Sequence, residues 1–138
     1  MRTTGIEIEN LTAIFVTIEE INTELKILPD YCLKITLENH KESKSISDFC
    51  KLITSTIDKI NPDRIAIIER QTSGDYAAGA LSFKVEGLIQ IYPNKTVEII
   101  NSASIRAYIK KNLNNVTAKF KYQEKALNLC LFLMGKGK

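Results

Sequence analysis

"DRIAIIER", residues 63 to 70, is the stretch on which the fold turns. Ile65 to Ile68 run apolar without polar alternation, the pattern of a strand covered on both faces inside an α/β sheet. The strand closes on Glu69 and Arg70, just ahead of the glycine-bearing loop "QTSGDYAAG". A carboxylate at that position has two explanations: a metal site at the rim of a sheet, or a strand that reaches water.

Working upstream, Ile46, Phe49, Cys50, Ile53, Ile57 and Ile60 recur at helical spacing behind Ser45 and Asp48, a capping-box-like start, and Asn61-Pro62 stops them. Before this helix, residues 3 to 9 alternate, with Ile6 and Ile8 on one face and Gly5, Glu7 and Glu9 on the other. Asn10-Leu11 turns the chain into a second strand, "TAIFVTIEE", and "YCLKITL" supplies a third.

Downstream, Leu81, Val85, Leu88, Ile89 and Tyr92 form a helical stripe, "TVEII" a further strand, and Ser102 the cap of a helix that turns Ile105, Tyr108 and Ile109 inward. A polar connector leads to a last helix, apolar nearly all round from Leu127 to Met134, that stops at Gly135 and is either buried or an oligomer contact. The order β-β-β-α-β-α-β-α-α predicts an α/β fold: a five-stranded mixed sheet with helices on both faces and right-handed crossovers. With 138 residues, 44% of them hydrophobic, one domain over residues 1–138 is expected.

Composition narrows the chemistry. Cys32, Cys50 and Cys130 are odd in number and show no C-x-x-C, and His40 is the single histidine, so neither structural zinc nor a disulfide framework is indicated. Nothing resembles a secretory leader or a membrane span, which points to a cytoplasmic location. Charge is unevenly distributed: residues 101 to 138 hold eight of the nineteen Lys and Arg but one of the sixteen acids, Glu124. Such an end can face a polyanion, nucleic acid above all, although solvated lysine-rich helix faces are common.

In this order the first strand and the strand ending at Glu69 can lie parallel and adjacent, with a crevice beyond their carboxyl ends. Glu7 and Glu69 then approach each other, and Gly5, on the face of Glu7, leaves open space. Paired carboxylates repel unless a cation intervenes. Mg²⁺ or Mn²⁺ suits them, and two such ions would serve phosphodiester hydrolysis.

Around this pair, Asp75 and Glu124 are candidates for a third acid, with a turn aspartate and an exposed first-turn acid as their plainer readings. Arg106, Lys110 and Lys111 fit one exposed helical face suited to phosphate contacts, and Lys84 can act as a point charge or stay solvated. Arg70 is expected on the face opposite Glu69, in a structural ion pair. Gly74 and Gly79 lack the Gly-Lys-Ser/Thr of a phosphate loop, a lone histidine supports no nucleophilic triad, and the tyrosines form no spaced stacking set.

"GIEIEN" on the first strand and "IIER" closing the fourth resemble the RNase H-like superfamily, and within it the RuvC-like Holliday junction resolvases. "ER" and "AAGALSFKVEGLIQ" further resemble a bacterial family of unknown function within that superfamily. The resemblance implies that Glu7 and Glu69 take the places of two metal-binding carboxylates, with Mg²⁺ or Mn²⁺ as cofactor and nucleic acid as substrate, and it makes a homodimer an assembly to test. Where those enzymes carry further aspartates, this chain reads "KFKYQEKALNLCLFLM" and offers Glu124 alone. Two functions follow: a metal-dependent nuclease acting through Glu7 and Glu69, or a catalytically inactive module of the same fold that binds a protein or nucleic-acid partner.

Overall fold

The computed structural model describes residues 1–71 and 79–136. The first hairpin is built from β1 (Arg2–Glu9) and β2 (Thr12–Ile21), in register from Arg2 opposite Glu19 to Glu9 opposite Thr12. Asn10, with φ of 54°, makes the left-handed turn that asparagine tolerates. Then come β3 (Glu24–Ile27) and β4 (Leu33–Thr36), α1 (Ser43–Ile60), β5 (Arg64–Ile68), α2 (Ala80–Gln90), β6 (Val97–Ile100), α3 (Ser102–Lys111) and α4 (Glu124–Lys136). The sheet is ordered β3-β2-β1-β5-β6, with β4 also paired to β2. Its β1–β5 and β5–β6 pairs are parallel and the rest antiparallel, so the sheet is mixed as expected.

Among the described residues the sheet has six strands where five were expected. The extra one arises because the return partner of β2 is broken in two. β3 pairs residues 18 to 21 of β2 and β4 pairs residues 12 to 15. Between them Pro29, which has no N–H for the ladder, opens a short 3-10 turn over Pro29–Tyr31.

Both sheet faces are covered. On one, Ile6, Ile8, Phe15, Ile65 and Ile67 pack with Phe49, Ile53 and Ile57 of α1 and Val85 and Ile89 of α2. On the other, Val16 and Ile18 meet Ala126, Leu127 and Cys130 of α4, while Ala66 and Ile68 meet Ile105 of α3 and Leu129 and Leu133 of α4. β5 is therefore sandwiched, which explains its unbroken apolar run.

The last helix is buried rather than left as an exposed contact face. It lies on β1, β2 and β5 and against α3, and it continues through Gly135, where a side chain would strike the Tyr108 ring. Thr3 Oγ1 donates to the Cys130 carbonyl at 3.1 Å and Cys130 Sγ donates to the Val16 carbonyl at 3.0 Å, tying helix to sheet. Gly5 does not leave open space: the α4 backbone fills it, and an added Cβ would lie 2.4 Å from the Ala126 carbonyl oxygen. Among the described residues no helix is long and apolar enough to cross a membrane.

Candidate functional site

Parallel pairing sets Gly5 beside Ala66 and Ile6 beside Ile67, so the carboxyl ends of β1 and β5 lie at the same edge of the sheet, β1 running on to Glu9. The chain leaves β1 by the hairpin into β2 and leaves β5 toward α2, and this divergence opens a crevice at the edge of the sheet. A cavity of about 750 Å³ occupies it, bounded by the strand ends, one face of α3 and the first turns of α4. Glu7 and Glu69 both line it. So do four cations: Arg70, Arg106, Lys110 and Lys125. Among the described residues four positive groups stand against two carboxylates, a lining that is basic on balance.

Glu7 points to the α4 face, where its side chain is 16% exposed and its carboxylate lies 3.7 Å from the Lys125 ammonium. Burial raises its pKa above the usual carboxylate range; Lys125 draws it back, Glu9 adds a push upward and Arg70 a pull down. The repelling acid is thus Glu9. The reason Glu69 plays no such part is one of parity. Ile68 faces α3 and α4, so strand alternation sends Arg70, not Glu69, toward the face of Glu7.

Glu69 itself is exposed at the end of β5, its N–H still donating to the Ile100 carbonyl at 2.9 Å. Beyond that last ladder bond the Arg70 N–H donates to Glu86 Oε2 of α2 at 3.1 Å. Its Nε is buried without a hydrogen-bond partner, a donor held ready beside the cavity. The expected structural ion pair on the opposite face is replaced by attraction to Glu7.

Because the folded Glu7 holds its proton to higher pH than the unfolded chain does, native stability falls as pH rises from near 4.5 through the raised value, and above that window the ionised carboxylate opposes folding. Glu7→Gln is expected to melt at a modestly higher temperature than the parent at pH 7. The gain should disappear below about pH 4.5, where both proteins are neutral at this position. Paired thermal melts at pH 4 and pH 7 check it.

Arg106 and Lys110 line the cavity from α3, sharing a helical face with Ser102, to which Arg106 Nη1 donates at 3.4 Å. The helix is held by Asn101, whose Oδ1 accepts from the Ala103 and Ser104 N–H groups, so the cap falls one residue earlier than Ser102. Lys111 is exposed beyond this lining, and Lys84 lies elsewhere, its ammonium donating to the His40 carbonyl at 2.5 Å. Glu124 is exposed on the first turn of α4 and does not line the cavity. Asp75 lies outside the described residues.

Sequence reasoning missed Lys125 and Asn128, which reach the cavity from α4 three residues apart. The signal available was the absence of aspartates from that helix start. Among the described residues no group of three His, Cys, Asp or Glu is placed to hold a metal ion, and the better-buried carboxylate, Glu7, already has a lysine beside it.

A family model described as "Protein of unknown function (DUF3010)" matches residues 1–132. No curated protein matches the chain. Among solved structures, RuvC of Thermus thermophilus is similar over 99% of this chain and 97% of its own, at 9% identity and a TM-score of 0.75. The same organism's RuvC in complex with a Holliday junction substrate is similar at 10% identity and a TM-score of 0.70, over 99% and 94% of the two chains. The Fowlpox virus resolvase in complex with Holliday junction DNA gives 14% identity and a TM-score of 0.56, over 99% and 98%. At such identities the likeness establishes the fold, an RNase H-like α/β fold, and leaves the chemistry to the residues.

Proposed function

The chain belongs to the family described as "Protein of unknown function (DUF3010)", and from that membership, the resolvase-type fold and the basic crevice we propose a module that binds the phosphate backbone of nucleic acid without cutting it. The carrying observation is the Lys125 ammonium 3.7 Å from the Glu7 carboxylate. A lysine supplies positive charge to a phosphate oxygen but cannot bind and acidify water as a metal ion does. Arg106 and Lys110 extend the same field along α3, and the half-buried Arg70, whose Nε has no hydrogen-bond partner, lines the same cavity with a guanidinium suited to a bidentate phosphate contact. Solved complexes of similarly folded resolvases with Holliday junction DNA make branched DNA the first ligand to try.

The competing reading is Mg²⁺- or Mn²⁺-dependent hydrolysis through Glu7 and Glu69, favoured by their sharing one cavity at adjacent strand ends. A labelled panel of four-way junction, duplex, RNA–DNA hybrid and single strand separates the two. The binding reading expects affinity unchanged between Mg²⁺ and EDTA, no cleavage, and a loss of about fivefold in Lys125→Ala with its salt slope reduced by about one. Metal-dependent cutting that disappears in both Glu7→Gln and Glu69→Gln would overturn it in favour of the nuclease.

A further inference from the structure

The segment "KFKY", Lys119 to Tyr122, carries the exposed aromatic pair of this face. Phe120 is 47% exposed and Tyr122 39%, and their rings stack, 5.5 Å between centroids and 6° from parallel. Neither ring belongs to the buried clusters. The turn that presents them is held by other means: Gln123 is buried and its Oε1 accepts the Phe120 N–H at 3.2 Å. The rings are therefore spared from supporting the fold.

Cations accompany them. The Lys34 ammonium lies 3.9 Å from the Tyr122 ring centroid and that of Lys119 5.3 Å from the Phe120 centroid. A flat apolar surface between ammonium groups complements a group that is itself a flat π-system on an anionic chain. The pair is also near the crevice. Lys34 pairs with Ile14 in the sheet, and Ile14 pairs with Glu7. That row places Lys34 two strand spacings, roughly 10 Å, from Glu7, a distance covered by about three stacked nucleotides. Along the chain, Tyr122 stands three residues before Lys125.

We propose that Phe120 and Tyr122 form a stacking platform for an unpaired base of a nucleic acid whose neighbouring phosphates lie in the Lys125–Arg106–Lys110 crevice, so that the ligand is single-stranded or locally opened. This rests on the phosphate-binding reading of the crevice and adds the state of the bases to it. The surface was not legible in the spacing of tyrosines alone, because one partner is a phenylalanine and a 3-10 turn, Lys121–Gln123, brings the rings together.

The test uses the full chain with a single-stranded oligonucleotide carrying one 2-aminopurine, whose fluorescence falls on stacking, and a fully paired duplex read by anisotropy. The parent protein is expected to quench the probe. Phe120→Ala with Tyr122→Ala should abolish the quench and weaken single-strand binding about tenfold while duplex binding stays unchanged. Phe120→Tyr and Tyr122→Phe, which keep the π-faces, should restore both. A quench that persists in the double alanine variant, with its melting temperature unchanged, overturns the platform. So does an equal loss of duplex and single-strand binding. Failure of the parent protein to bind either ligand overturns the crevice reading and the platform together, whereas duplex binding without any quench removes the platform alone.

Discussion

Arg106→Glu combined with Lys110→Glu is expected to weaken nucleic-acid binding about 100-fold at physiological salt, with the melting temperature nearly unchanged. A cation that no longer neutralises a phosphate releases about one counterion fewer, worth roughly fivefold at 0.15 M salt, and charge reversal adds repulsion from two new carboxylates. The salt dependence should flatten by about two units of slope. Both side chains are exposed on α3, which is anchored by the buried Ile105 rather than by them, so the fold has little stake in them. Lys84→Glu, remote from the cavity lining, is the matched control and should change affinity only slightly. Titrations across a range of salt concentrations decide the matter; equal losses in the control and the double variant would remove the crevice from consideration.

Gly5→Ala is expected to be strongly destabilising for a single added methyl group. Its Cβ would sit 2.4 Å from the Ala126 carbonyl oxygen, 3.1 Å from Cys130 Sγ and 3.2 Å from the Cys130 nitrogen. Two of these are backbone atoms of α4, which cannot swing aside as a side chain would. The helix must lift, loosening its packing on Val16 and Ile18 and drawing Lys125 away from Glu7. A destabilisation of about 3 kcal/mol is expected, near the upper end for overpacking, equivalent to roughly 10 °C in Tm for a chain of this size. Gly87, inside α2 with open space around its Cβ position, gives the opposite sign: Gly87→Ala should stabilise by about 1 kcal/mol. Urea denaturation of both variants tests the pair. An unperturbed Gly5→Ala midpoint would mean that α4 does not rest on β1.

Much of the fold was legible because periodicity is local. The apolar run of Ile65 to Ile68, the alternation around Ile6 and Ile8, and the stripe from Phe49 to Ile60 each report their own element, and all three elements formed. Boundaries were less legible, since caps depend on which polar group wins a competition. α1 begins at Ser43 rather than Ser45 because the Ser45 hydroxyl is engaged by the Asn39 N–H at 2.9 Å. β4 was legible in "YCLKITL" but β3, which Pro29 separates from it, was not.

By itself the sequence determined that Glu7 sits on one strand and Glu69 at the end of another, that those strands suit a covered mixed sheet, and that positive charge gathers toward the C-terminus. Only the tertiary structure decided which charges meet. A strand shows alternate residues to opposite faces, so the β1–β5 register, and not the presence of two acids, puts Arg70 rather than Glu69 on the face of Glu7. A helix turns by about 100° per residue, so Lys125 reaches Glu7 while Glu124, one position earlier, stays in solvent. That azimuth is fixed by the burial of Ala126 and Cys130 over Gly5, residues from opposite ends of the chain, and no local pattern around Lys125 encodes it.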